Sequence, residues 1–165
     1  MQIAKWAPGH PRWPEWERLA RRLNLVRAII DPETLTQDVH FLAGLVDDSL
    51  VGLLMFLVQP IGPEMEVPVI CDGAGRPLTE AKIRAFHVLP EYRGRGLGTA
   101  LQREVLRLAP ALGCYQVRSR SELDKEANFA IKRKLGFAMH PALRIYRDGT
   151  ESPGVYWVRP CAAPT

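Results

Sequence analysis

Three alternating glycines and two arginines, Arg93-Gly94-Arg95-Gly96-Leu97-Gly98-Thr99, make up the segment of this chain best equipped for chemistry. Glycine lets the backbone take positive φ and approach a ligand closely. The segment follows a strand-like apolar run and opens a helix-like one. The free N–H groups of that helix's first turn therefore point at whatever lies there, with the positive end of the dipole behind them. Arg93 and Arg95 add charge-assisted hydrogen bonds. Together these features suit a phosphate or a pyrophosphate. A Walker A loop is excluded, because Gly98-Thr99 follows Leu97 with no lysine. A Rossmann dinucleotide fingerprint is excluded too. The spacing is G-x-G-x-G, and the stretch where an acid belongs offers Arg118 and Arg120.

Other reactive residue types are scattered. Cys71, Cys114 and Cys161 form no C-x-x-C and no Cys/His pair at zinc spacing. They are expected to be reduced, inert thiols of a cytoplasmic protein, and no metal is expected. Lys and Arg number 22 against 18 Asp and Glu, a net charge of +4, and 17 of the 22 are Arg. That excess fits nucleic acid, an anionic cofactor or a plain compositional bias. No aromatic-and-basic stripe or helix-turn-helix signal accompanies it, so no nucleic-acid partner is expected. The longest apolar run, Leu50 to Val58, is far short of the roughly 18 residues a membrane span needs. No basic stretch followed by an apolar one opens the chain, so neither a secretory leader nor a membrane partner is expected.

The elements that must hold the glycine turn alternate along the chain, as in an α/β or α+β fold of a single domain over residues 1–165. Gln2 to Trp6 reads as a short strand. Trp16, Leu19, Ala20 and Leu23 fall at helical spacing, with Arg18, Arg21 and Arg22 opposite. Asp31-Pro32-Glu33 opens a second, short helix. Two apolar runs around Asp47-Asp48-Ser49 read as a hairpin, the second run central and buried. Gln59 to Thr79 is a long, Pro- and Gly-rich segment with a turn at Asp72-Gly73-Ala74-Gly75. Ala81 to Leu89 reads as a strand with Ile83, Ala85 and His87 on one face and Lys82, Arg84, Phe86 and Val88 on the other. Leu97, Leu101, Val105 and Leu108 line a helix that Pro110 ends. After a strand over Cys114 to Ser119, Ser121 to Asp124 reads as a capping box. The helix it opens turns Leu123, Ala127, Ala130 and Leu135 inward and ends at Gly136. A terminal hairpin turns at Asp148-Gly149.

The run Val88-Leu89-Pro90-Glu91-Tyr92-Arg93-Gly94-Arg95-Gly96-Leu97-Gly98 resembles the signature of the GNAT acyltransferase superfamily. In that signature a strand ends in V-x-P and [Q/R]-x-x-G-x-[G/A] opens a helix. Lys134-Leu135-Gly136-Phe137 is similar to the family's second motif, and Asp47-Asp48-Ser49-Leu50-Val51-Gly52 to its acidic hairpin turn. The resemblance implies a mixed, mostly antiparallel sheet of about seven strands flanked by about four helices. It implies acetyl-CoA as cosubstrate, held between two strands that splay apart near Val88 and Ser119. Backbone groups of Phe86 and Val88 would pair with pantetheine, and the amides from Gly94 through Gly96 and Gly98 to Thr99 would hold the pyrophosphate. It implies acetyl transfer to a primary amine of a small molecule or protein, and it admits a homodimer.

The family's usual acid, a tyrosine four residues before the glycine of L-G-F, is replaced here by Lys132, expected as a solvated lysine or as a group facing the thiolate of CoA. Its usual strand bases fall on Lys82 and Arg84, neither of them suited to the task, which leaves Glu80 as the first candidate base, acting through water. His87 reads as a packed histidine. Lys82 and Arg84 instead suggest an acceptor carrying an acidic group, and Arg118 and Arg120 would extend that patch or meet the 3′-phosphate of CoA. The alternative is a non-catalytic acyl-CoA-binding or sensing module.

Overall fold

Asp47 and Asp48 both take positive φ, 47° and 61°, and turn the chain sharply between its two most apolar runs. The hairpin so formed carries much of the buried core. The computed structural model describes residues 1–25 and 37–161. The helix expected from Asp31-Pro32-Glu33 lies outside the described residues. Strand β1 is Gln2–Trp6, β2 is Asp38–Val46 and β3 is Ser49–Pro60. Strand β4 spans Thr79–Val88, β5 Gln116–Glu122, β6 Ala138–Ile145 and β7 Glu151–Pro160. They form one seven-stranded sheet in the order β1-β2-β3-β4-β5-β7-β6. Only β4 and β5 run parallel; the other neighbours are antiparallel.

Helix α1, Trp13–Arg22, covers one face of the sheet. Its Trp13 and Trp16 stack 5.3 Å apart and meet the Phe41 ring edge-on, and the Trp16 indole donates to the Leu42 carbonyl. Helices α2, Leu97–Ala111, and α3, Glu126–Lys134, cover the other face. Gly44 and Gly52 lie beneath α2. A Cβ on Gly52 would stand 3.2 Å from Leu97 and 3.3 Å from Leu101, so the missing side chains let the helix seat closely. Leu97, Leu101, Val105 and Ala109 are buried there. Ala109 takes the place expected for Leu108, and Pro110 sits inside the last turn rather than ending it. No helix among the described residues is long and apolar enough to cross a membrane.

Two expectations fail for identifiable reasons. Ser121 and Glu122 do not cap a helix, because they are still strand, paired with Val155 and Gly154 of β7. The Ser121 hydroxyl accepts a hydrogen bond from Asn128, and α3 begins only at Glu126. The inward face of α3 is shifted accordingly. Leu123, Ala127 and Ala130 are exposed, whereas Lys132 and Leu135 are buried.

The second failure concerns β4. Its register against β3 shifts between Met55 and Phe56, which pair with Ala85 and Ile83. Arg84 is therefore the extra residue of a β-bulge, and the alternation of faces reverses across it. Pairing places Phe86 opposite Leu54, and Phe86 touches the position of Gly98 beneath α2. Ala81, Ile83, Phe86 and Val88 thus share the α2 face. Glu80, Lys82, Ala85 and His87 share the α1 face.

Candidate active site

Strands β4 and β5 pair over four residues only, from Glu80 with Gln116 to Ile83 with Ser119. Beyond that point β4 continues to Val88 on β3 alone, and β5 continues to Glu122 on β7 alone. The two strands part, leaving a gap in the middle of the sheet. Backbone bonding shows which groups line it. The Leu89 amide donates to the Val51 carbonyl, so the hydrogen-bonded pairs with β3 fall on residues 87 and 89. The N–H and C=O groups of Phe86 and Val88 face the gap. The Val88 carbonyl is already taken, by the Arg93 Nε at 2.9 Å. Arg93 is thus a staple across the end of β4, and its guanidinium is exposed. Arg95 lies over the Tyr92 ring, 5.7 Å from its centroid.

The gap opens onto the glycine turn. Gly94 and Gly96 have φ of 73° and 87°, and Gly96 is the N-cap of α2. The first backbone bond of the helix runs from Ala100 N–H to the Gly96 carbonyl. The amides of Leu97, Gly98 and Thr99 precede it and have no partner within the helix. A Cβ on Gly98 would stand 3.1 Å from both Ile131 and Phe86, so this glycine lets α2, α3 and β4 meet at one point. An anion at the turn would receive the amides and the dipole together.

On the α1 face, at the foot of the gap, lies a buried cluster of charges. Glu80 is fully buried, and its carboxylate accepts from Arg118 Nε at 2.8 Å, Arg118 Nη2 at 2.6 Å, Gln116 at 2.9 Å and Gln59 at 3.0 Å. Burial alone would raise the Glu80 pKa, but Arg118, Gln116 and Gln59 outweigh it and hold the group below the usual carboxylate range. Glu80 is therefore spent on structure and unsuited to act as a base. Glu64 reaches the same cluster from a 3₁₀ turn, Pro63–Met65, in the segment between β3 and β4. Its carboxylate lies 2.8 Å from Arg118, 3.1 Å from Arg84 and 3.5 Å from Lys82. Arg84 and Lys82 thus face an internal acid, and Arg84 is the more exposed of the two, at 40% against 3%. Lys82 and Arg118 both lie 5.0 Å from the Tyr156 ring centroid. Arg120 is turned away, bonded to Ser152. Arg118 is buried in this cluster, so its charge is spent on Glu64 and Glu80.

Lys132 is not a solvated lysine. It is fully buried, donates to Gln102 Oε1 at 2.8 Å and lies 4.1 Å from the Phe137 ring centroid. Burial pushes its ammonium down to about 7. His87 is half-buried, and burial together with Arg93 and Arg22 lowers its pKa. Cys114 is buried with its thiol pushed up to about 12, which leaves it unreactive. Among the described residues no group of three or more His, Cys, Asp or Glu could hold a metal ion.

The residues that sequence reasoning missed are Glu64, Tyr156 and Gln102, with Arg118 assigned to the wrong partner. Their contacts with Arg118, Lys132 and Lys82 join distant parts of the chain: Arg118 meets Glu64 and Glu80, Lys132 meets Gln102, and Lys82 meets the Tyr156 ring.

The chain matches the Acetyltransferase (GNAT) family over residues 4–137. The chain belongs to the GNAT acetyltransferase family. It is 32% identical to N-alpha-acetyltransferase 30 of Schizosaccharomyces pombe over 71 residues, which span 42% of this chain and 47% of that relative. Its fold is that of Arabidopsis thaliana NAA60. The structure of NAA60 with acetyl-CoA aligns with a TM-score of 0.68 at 17% identity, covering 96% of this chain and 99% of that one. The structure of NAA60 with a bisubstrate analogue aligns with a TM-score of 0.67 at 18% identity, covering 96% and 97%.

Proposed function

We propose that this GNAT protein transfers the acetyl group of acetyl-CoA to a primary amine of a protein or small molecule, by direct attack within a ternary complex. The observation that carries the reading is the parting of β4 and β5 onto the glycine turn. Pantetheine would lie in the gap as an added strand against Phe86 and Val88. The pyrophosphate would lie on the amides of residues 94–99, beside Arg93 and Arg95. The Val88 N–H faces the gap and would polarise the thioester carbonyl. Lys132, half-protonated near neutral pH, would supply positive charge or a proton toward the departing thiolate.

One relative is by name an N-alpha-acetyltransferase, so a peptide α-amine leads the acceptor panel. Arg84 reaches solvent, and an acidic group on the acceptor would meet its guanidinium. The cytoplasm is the assigned compartment, consistent with the free thiols of Cys71, Cys114 and Cys161.

A second reading, a non-catalytic acyl-CoA-binding module, is favoured by one observation: the carboxylate nearest the expected base position, Glu80, is saturated with hydrogen bonds. Two measurements test the readings. Acetyl-CoA should raise the melting temperature under either. Thiol release should appear only under the first, in a panel of peptides with free N-termini, amino acids, polyamines and aminosugars. Absence of any thermal shift rejects both.

A further inference from the structure

The carboxylate of Glu64 sits in a cradle that the sheet builds and its own segment does not. One oxygen lies 3.1 Å from Arg84 Nη1 and 3.5 Å from Lys82 Nζ. The other lies 2.8 Å from Arg118 Nη2 and 2.7 Å from Gln59 Nε2. We propose that this cradle is the site for a carboxylate on the acceptor, and that Glu64 fills it until an acidic acceptor takes its place. The inference rests on the acetyl-transfer reading and gives its acidic acceptor a defined site.

The donors come from three neighbouring strands: Gln59 from β3, Lys82 and Arg84 from β4, Arg118 from β5. Each oxygen of Glu64 meets two of them, which is the pattern of a slot for a planar, two-oxygen anion. The Lys82 and Arg118 side chains are only 3% and 4% exposed, so burial fixes two walls of the slot. Arg84, more exposed, opens it to solvent.

Glu64 does not satisfy the cradle it fills. Burial and the Arg118 charge push the Lys82 ammonium down to about 8, which leaves it mostly protonated at pH 7. Arg84, Arg118 and Lys82 then set three positive charges against the two negative ones of Glu64 and Glu80. Glu80 is committed to Arg118 through both oxygens. One positive charge is in surplus. Among the described residues, Lys82 Nζ and Arg118 Nη1 are also buried without a hydrogen-bond partner. A buried cluster with surplus positive charge and idle donors favours a further anion.

The cradle also lies where an acceptor must pass. Helices α2 and α3 cover the face that carries the glycine turn, so the acceptor reaches the gap from the α1 face. Lys82 and Arg118 pair on that approach, one residue before β4 and β5 part. Glu64 arrives on the turn Pro63–Met65, and that turn is a closed unit. The Met65 N–H donates to the Gly62 carbonyl at 2.8 Å, and a Cβ on Gly62, at φ 124°, would collide with the Pro68 carbonyl. The Glu64 side chain itself is 25% exposed. Exchange therefore asks one side chain to rotate into solvent and leaves the turn in place.

Glu64→Ala empties the cradle. In acetate or glutarate at about ten times the dissociation constant, its melting temperature should rise by about 3–6 °C over sodium chloride of equal ionic strength. Wild type, with Glu64 in place, should rise by less than about 1 °C. Should Glu64→Ala not fold, Glu64→Gln, which keeps the shape and removes the charge, carries the same comparison. No carboxylate-specific rise in the variant, or an equal rise in wild type, overturns the cradle. Two acceptor pairs then locate the carboxylate: peptides with aspartate or asparagine at the second position, and free amino acids against their carboxamides. In at least one pair the acid-to-amide ratio of kcat/KM should be about tenfold higher in the variant than in wild type. The pair that responds distinguishes a side-chain carboxylate from an α-carboxylate. Unchanged ratios in both pairs overturn the proposal. A wild type that acetylates no amine overturns the acetyl-transfer reading and the acceptor assignment with it, whereas the melting shifts need no acceptor and decide the cradle separately.

Discussion

Replacing Lys82 by methionine should make the protein more stable at pH 7, not less. The folded chain holds the Lys82 ammonium at about 8 against 10.5. Between those values the unfolded chain carries a proton that the folded chain does not, so stability rises as pH climbs from 8 to 10.5. Below pH 8 both states are protonated, and the full penalty applies. At 1.36 kcal/mol per pH unit the penalty is about 3 kcal/mol. Glu64 retains Arg84 and Arg118 when Lys82 is removed, so no carboxylate is orphaned. Methionine fills the slot against Tyr156, giving up a cation–π contact of about 1 kcal/mol, part of which the shift already includes. The net gain is about 2–3 kcal/mol, or roughly 4–12 °C in Tm for a chain of this length. Thermal melts of both proteins from pH 7 to 10.5 test this. The gap between them should be widest at pH 7 and should shrink above pH 8. A variant that melts lower than wild type at pH 7, or a gain that does not vary with pH, refutes the reasoning.

Arg118→Met should be strongly destabilising, by about 3–5 kcal/mol in denaturant unfolding, because it leaves the buried Glu80 carboxylate without its cation. Glu64 and Glu80 have pKa values held below the usual carboxylate range. Their contribution is therefore present above about pH 4.3 and lost as pH falls through the folded values, which acid titration of Arg118→Met against wild type should show as a flatter curve for the variant. Gly96→Val forces a branched residue to φ 87° at the head of α2; it should cost about 1–2 kcal/mol and abolish the acetyl-CoA thermal shift. Arg84→Glu should raise KM for an acidic acceptor while sparing acetyl-CoA affinity, measured by steady-state kinetics and calorimetry; an unchanged KM removes the acidic-acceptor idea.

The parts of the molecule written in local pattern were legible. Trp16, Leu19 and Ala20 announce α1 by spacing, Asp47-Asp48 announces the hairpin, and the glycines at 94, 96 and 98 announce the turn that opens α2. The family resemblance named the backbone of Phe86 and Val88, and the pairing of β4 with β3 turns those backbone groups away from β3. What was illegible depended on pairing. Arg84 bulges with no residue signature of its own, so the faces of β4 were assigned wrongly beyond it. Ser121 looks like a cap, but β7 claims its backbone. Lys132 looks like a helix-end cation, yet the fold buries it against Gln102, 30 residues away. Glu80 looks available until Arg118, from a strand 38 residues on, closes over it.

The bulge at Arg84 also sets how the strand can change over time. It acts as a phase shifter: residues before it follow one parity, residues after it the other. Substitutions at Arg84 leave that phase intact. Deleting one residue there would rejoin the two halves in a single parity. Either the charges of Glu80 and Lys82 would then turn into the apolar packing beneath α2, or Phe86 and Val88 would turn away from the glycine turn. Diversity in this strand should therefore arise by replacement of side chains, while insertions and deletions are confined to the segment between β3 and β4.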